Sequence, residues 1–349
     1  MSMNEIKPQQ TIEPKIDLDT NEVLIGVDLG GTRVRVARLD TALNIIERHE
    51  TLTLAHEGYD ATIKRIKGLI RRVLPTDDAT PIAGIGVSAP GPLNPQTGVV
   101  VAPPNLPGWH NVPLGDILHE EFNLPIYVGN DANVAALAEV ARGAAHGHRH
   151  AIYITVSTGI GSGIIYDGRL LLGKTGLAAE AGHMIMLADG TRVSSLEKEA
   201  AGPALARQAR ARIEAGESTL IAELVAGDLD KIDARVIGIA ANQGDQMAVD
   251  IVERCGKFVG LGIVTLLHLF NPEIVIIGGG VSNIGDLLFS RIRATIEQHS
   301  LDSAYWDDLK LVPAGLAGDV SVIGAAVLVA TKGGQSDVTQ VLSIINRSL

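Results

Sequence analysis

The sequence holds a single cysteine, Cys255. A lone thiol excludes an internal disulfide and any multi-cysteine zinc site. Aromatic residues are scarce, at 3% of the chain against 46% hydrophobic residues overall. Small and branched aliphatic side chains must therefore do most of the packing, as in α/β proteins with buried parallel strands. No lysine- or arginine-rich run occurs, and the net charge is −11. Duplex binding needs a basic face, so a nucleic-acid partner is not expected. No uninterrupted apolar run approaches the roughly 18 residues that a membrane-spanning helix needs. The opening "MSMNEIKPQQTIEPKIDLDTNE" is polar and acidic, without the apolar segment of a signal peptide. A soluble cytoplasmic protein with no membrane partner is expected.

What is present is a chain of 349 residues, long enough for two domains at about 150 residues each. Residues 1–21 read as a flexible leader and 333–349 as a tail ending in a short helix. Between them β-like and helix-like segments alternate. "VLIGVDLG" and "TRVRVARLD" are short strands joined by Gly30-Gly31, and "AIYITVS" and "GIIYDGRLL" are strands joined by "TGIGSG". Helical stretches are expected near 59–73, 197–214 and 245–270, and "LPIYVGN" reads as a strand running into the helix of "DANVAALAEVARGAAHG". Each half thus opens with a strand, a Gly-rich turn and a strand, a quasi-repeat that predicts two similarly built α/β domains.

"DLGGTR", "STGIGSG" and "IGGGVS" each follow an apolar strand. A turn whose N–H groups are unobstructed by side chains is an anion cradle. The spacing matches neither a P-loop nor a single strand–G-x-G-x-x-G–helix unit. Two facing hairpins, one per domain, suit a polyphosphate clamped between lobes. Asp28, just before the first Gly pair, is placed to hold water on Mg²⁺, and Thr32 and Thr158 offer hydroxyl contacts.

Six segments together resemble the ROK family of sugar kinases, particularly its bacterial glucokinase type: "VDLGGTRVRVARLD", "GVSAPGPLNPQTGVV", "PPNLPGWHNVPL", "GNDANVAALAE", "TGIGSGIIYDGRLLLGKTGLAAEAGHM" and "IVIIGGGVS". The resemblance spans about residues 22–332 in family order. It implies two actin-like ATPase (ribonuclease H-like) domains around a central cleft. On this reading a small N-terminal α/β domain covers 22–127, completed by a returning helix at 319–332, and a large α/β domain covers 128–318. The implied activity is ATP-dependent phosphorylation of a hexose at its 6-hydroxyl, with glucose as the leading acceptor and a homodimer as the usual assembly. The expected ATP contacts are Asp28, Gly30, Gly31, Thr32, Arg33, Thr158, Gly159, Gly161, Gly279 and Gly280. An N-acetylhexosamine kinase, a fructokinase and a polyphosphate glucokinase are the alternatives within that class. A non-catalytic sugar sensor or a ROK-type regulator is the alternative outside it; the regulator calls for a longer, DNA-binding N-terminal segment than residues 1–21 and a less acidic chain.

Transfer to a hydroxyl needs an in-line acceptor, a base for its proton and neutralisation of the phosphates. Locally, Asp131 reads equally as a helix N-cap or as the base; the "GNDAN" context resembles the family's catalytic loop and implies the base. Asn130 and Asn105 are implied sugar contacts, although an Asn before Leu-Pro-Gly serves equally as a turn residue.

Glu180 and His183 stand in an E-x-x-H spacing, which also occurs in di-iron bundles. The second such pair and the further carboxylates that site needs are missing, and zinc catalysis calls for a denser His cluster. In the family pattern Glu180, His183 and Glu197 match contacts to the sugar hydroxyls. Many ROK members carry a cysteine-rich zinc segment between that His and the second Glu. Here the segment is "MIMLADGTRVSS", without cysteine, so zinc is expected to be absent and His183 to be oriented by hydrogen bonding or packing.

Overall fold

The computed structural model describes residues 21–77 and 79–341. The expected leader up to residue 20 and the end of the tail, 342–349, lie outside the described residues. Chain order in the first half is β1 (Val23–Leu29), β2 (Arg33–Asp40), β3 (Ile45–Leu52), α1 (Tyr59–Val73) and β4 (Ile82–Ala89). A small three-stranded sheet of β5 (Leu93–Asn94), β6 (Val99–Val100) and β7 (Val112–Pro113) follows, then α2 (Leu114–Phe122), β8 (Ile126–Asn130) and α3 (Asp131–Arg142). The main sheet runs β3-β2-β1-β4-β8. β1 and β2 pair antiparallel through the Gly30-Gly31 turn, whereas β1, β4 and β8 run parallel and end together. α1 buries Ile63, Ile66, Leu69, Ile70 and Val73 against this sheet, the three-to-four spacing of an amphipathic helix.

The second half repeats the device. β9 (Ala151–Val156) and β10 (Ile160–Tyr166) form an antiparallel hairpin, extended by β11 (Arg169–Leu170). β12 (Ile185–Asp189) and β13 (Arg192–Ser195) form a separate two-stranded hairpin. Helices α4 (Leu196–Ala200), α5 (Gly202–Glu214), α6 (Leu220–Leu224), α7 (Ala234–Asn242) and α8 (Gln246–Phe270) lead to β14 (Ile274–Gly278), α9 (Asp286–His299), β15 (Lys310–Pro313) and α10 (Val320–Ala330). The second sheet runs β11-β10-β9-β14-β15.

α10 lies on the first sheet, and glycines let it rest directly on the strands. A Cβ on Gly26 would stand 2.2 Å from the Val322 carbonyl oxygen, and one on Gly86 1.7 Å from that of Ala325. α3 lies against α10 and the second sheet at once, so Val134, Leu137, Tyr153, Ile276 and Val322 share one core that joins the halves.

Three expectations need correction. The first sheet runs through β8 to Asn130, past the boundary placed at 127, because β8 is the last parallel strand. "TGIGSG" is not all turn: β10 begins at Ile160, and "GIIYDGRLL" is broken at Asp167-Gly168, both at positive φ. Gly163 is bare because α3 crosses it, a Cβ there meeting the Ala132 carbonyl oxygen at 2.6 Å. The helix expected over 197–214 is two helices. Ala201 is extended (ψ 159°) and the Gly202 N–H leaves the helix to donate to the Ser157 carbonyl at 2.7 Å, with Pro203 favouring a new helix start.

Candidate active site

Asp28 ends the parallel part of β1 and lies directly across the hairpin from Arg35. The Arg35 Nη1 stands 3.2 Å from Asp28 Oδ2, and Ser321 at the start of α10 also favours the ionised carboxylate. Burial holds the Asp28 carboxyl above the ordinary aspartate range, Arg35 opposes the shift, and the negative charge of Asp131 adds to it. The Asp131 charge therefore reaches the Asp28 carboxyl.

The first turn is braced from outside. Thr53 donates its N–H to the Thr32 carbonyl at 2.8 Å and its hydroxyl to the Gly30 carbonyl at 2.6 Å. Gly31 is needed because the Asn105 loop packs on it, with the Asn105 Cβ and carbonyl oxygen both 2.9 Å from where a Cβ would be. That contact brings Asn105, exposed, to the first glycine turn. Arg33 is exposed and its guanidinium is engaged by Glu50 at 2.6 Å.

At the junction of β8 and α3 the cap is Asn130. Its Oδ1 accepts from the N–H groups of Ala132 (2.9 Å) and Asn133 (3.1 Å). The Asn130 amide NH₂ takes no part in the cap. Asp131 is the first helical residue and accepts from Ala132 N–H at 2.8 Å. The residue is exposed on the cleft side, yet surrounding protein atoms desolvate its carboxylate and hold its carboxyl above the ordinary range; the Ala132 N–H opposes this. An accessible carboxylate of raised basicity at the head of a rigid helix is fitted to accept a proton.

Glu180 precedes and His183 ends a single 3₁₀ turn, not an α-helix, and both residues are exposed. Gly182 presses this turn onto β10, where a Cβ would lie 2.0 Å from the Ile160 carbonyl oxygen. Glu197, in the first turn of α4, accepts from the Ile160 N–H at 2.9 Å. The 3₁₀ turn, through Gly182, and Glu197 thus both meet β10 at Ile160. The segment between His183 and Glu197 is the β12–β13 hairpin. It is closed by the Leu196 N–H donating to the Met184 carbonyl at 2.9 Å, and Met184, Met186 and Leu187 pack against the core. Among the described residues no group of three or more His, Cys, Asp or Glu side chains is placed to hold a metal ion.

The second and third turns meet. Gly279, at φ 84°, would with a Cβ stand 2.4 Å from the Val156 carbonyl oxygen, and Ser282 donates to the Gly279 carbonyl at 2.7 Å. Between them opens a cavity of about 430 Å³, lined by Thr158 and Gly280 from the turns and by Ala206, Arg210, Ile232 and Arg235 from α5, α7 and the loop before α7. Apolar walls with two guanidinium groups suit a nucleobase followed by phosphates. Sequence reasoning missed all four wall residues, because no local pattern marks them. Gly161 sits inside β10 rather than in the turn, and a Cβ on it would stand 3.2 Å from that of Ala132.

Two sheets that each open with strand, glycine turn and strand, around one cleft with an acidic floor and a nucleotide-sized cavity, define the actin-like ATPase fold. The sequence profile of the ROK family matches residues 24–332, and the chain belongs to that family. It is 36% identical to a glucokinase of Thermotoga maritima, over 88% of this chain and 96% of that protein. The structure of a ROK family glucokinase from Streptomyces griseus, in complex with glucose and AMPPNP, superposes with a TM-score of 0.71 at 32% identity, covering 88% of this chain and 98% of that one. A ROK hexokinase from Thermus thermophilus superposes with a TM-score of 0.74 at 31% identity, covering 87% and 96%.

Proposed function

We propose that the protein transfers the γ-phosphoryl group of ATP to the 6-hydroxyl of a hexose, glucose first among acceptors. One observation carries the reading: with the cap position taken by Asn130, Asp131 is left as an exposed carboxylate at the head of α3, at the end of the strand β8. The likeness to the Thermotoga glucokinase and to the glucose–AMPPNP complex supports it.

ATP enters the cavity between α5 and α7 with its phosphates toward the three glycine turns. The sugar lies beside Glu180, His183, Asn105 and the Asn130 amide. Its 6-hydroxyl oxygen attacks the γ-phosphorus as the bond to the β–γ bridging oxygen breaks, and its proton passes to Asp131. Glu197 holds the Ile160 N–H and so links the sugar side to the nucleotide turn; a direct bond to the sugar uses its remaining lone pairs.

Two carboxylates, each raised by burial and one raised further by the other, fit a site completed by a cation, and Asp28 is the residue that would hold water on Mg²⁺. Bound Mg²⁺ supplies charge neutralisation on the phosphates. Zinc takes no part in the proposed reaction, and a cytoplasmic homodimer is the expected working state. No helix among the described residues is long and apolar enough to cross a membrane.

A coupled assay across glucose, mannose, fructose, N-acetylmannosamine and N-acetylglucosamine, with ATP and polyphosphate as donors, tests the reading. Glucose with ATP should give the highest kcat/KM. A higher value for an N-acetylhexosamine would overturn glucose as the acceptor, and no turnover with any sugar would overturn the kinase.

A further inference from the structure

We propose that Arg35 is the resident counter-cation of Asp28 and competes with the divalent cation that accompanies the nucleotide; this rests on the reading of Asp28 as the cation-side carboxylate. The β1–β2 register places the two residues directly opposite each other, so the pair is built before any ligand arrives. Their side chains are 29% and 16% exposed, and such a pair is screened less than one in open solvent.

The other contacts of Arg35 are longer than its bond to Asp28. Its Nη1 is 3.4 Å from the Gly318 carbonyl oxygen. Its Nε is buried without a hydrogen-bond partner, 3.5 Å from Glu50 Oε2. Glu50 is taken at shorter range by Arg33, at 2.6 Å, and is shared with Arg48 at 3.4 Å. Asp28 is therefore the principal partner of Arg35. A hydrated cation needs the same carboxylate charge, and the two positive groups repel each other at close quarters. Occupancy by the dication must loosen the Arg35–Asp28 bond, and that loss is subtracted from the binding of the cation. The alternative is that Arg35 merely stiffens the hairpin, as a cross-strand ion pair does.

The test measures AMPPNP binding to the full chain by calorimetry, with and without Mn²⁺, in the presence of glucose. The readout is the gain in affinity that Mn²⁺ confers. Arg35→Met should enlarge that gain about fivefold, the shift expected from removing one half-buried ion pair. Arg35→Lys, which keeps the charge, should leave the gain near wild type, and Asp28→Asn should shrink it. If Asp28→Asn shrinks the gain but Arg35→Met leaves it unchanged or smaller, the Arg35 inference fails and the Asp28 reading stands. The inference fails in the same way if Arg35→Lys behaves like Arg35→Met. An unchanged gain in Asp28→Asn overturns both. Melting curves of each variant report folding separately, and a purely structural Arg35 would lower the midpoint without moving the gain.

Discussion

Glu197 accepts a hydrogen bond from the backbone N–H of Ile160 at 2.9 Å, and a Cβ on Gly159 would stand 2.6 Å from the same carboxylate. The second glycine turn is therefore shaped around this side chain. Glu197→Ala should raise the KM for ATP about tenfold as well as that for sugar, since bonds to charged acceptors contribute about 1.5–3 kcal/mol. Glu197→Gln retains an acceptor and should move the ATP KM less. A change confined to the sugar KM in both variants would restrict Glu197 to a sugar contact.

Neighbouring glycines in the third turn should respond oppositely. Gly279→Ala forces a side chain into positive φ and against the Val156 carbonyl oxygen, and should destabilise by about 2 kcal/mol or more. Gly280→Ala meets nothing within 4 Å and should stay within about 0.5 kcal/mol of wild type. Urea unfolding of the two variants measures the contrast; equal losses would refute it.

The turns, the strand–helix junction at Asp131 and the returning helix are legible in the sequence because each rests on local chemistry: bare backbone, capping residues, an Ala-rich apolar run. What is not legible depends on residues distant in the chain. Gly161 and Gly163 look like turn residues and are crossing points for α3. Asn130 and Asp131 compete for one cap, and only the side-chain geometry assigns it to Asn130. Arg210, Ile232 and Arg235 line one cavity only after α5 and α7 pack side by side, and Arg35 becomes significant only when the β1–β2 register sets it across from Asp28.

The β12–β13 hairpin is closed by backbone bonds and packed through Met184, Met186 and Leu187, contacts that order the segment without calling on a metal. Chelation followed by restored Mg²⁺ should leave both melting midpoint and activity unchanged, and elemental analysis should find no stoichiometric zinc. A zinc atom per chain would contradict this reading of the segment.

Asp131 must be unprotonated to accept a proton, and desolvation by the surrounding protein raises its carboxyl above the ordinary range. The acid limb of kcat/KM should therefore titrate above the value of about 3.9 for an unperturbed aspartate. Stability runs the other way. Between its unfolded and folded pKa values the native state binds more protons, so this contribution is full at low pH and is lost as pH rises through the folded value. Asp131→Asn removes that loss and should not lower the melting midpoint at neutral pH. A lower midpoint would count against the raised carboxyl.

The role of Asp131 as the base is tested most directly by Asp131→Asn, with two quantities measured on the same protein: kcat with ATP and glucose, and the Kd for glucose. The expected result is a fall in kcat of about a hundredfold or more, with the glucose Kd within about threefold of wild type, as for a substitution that removes no packing. Turnover close to the wild-type rate would contradict the assignment of Asp131 as the base, and with it the proposed phosphoryl transfer.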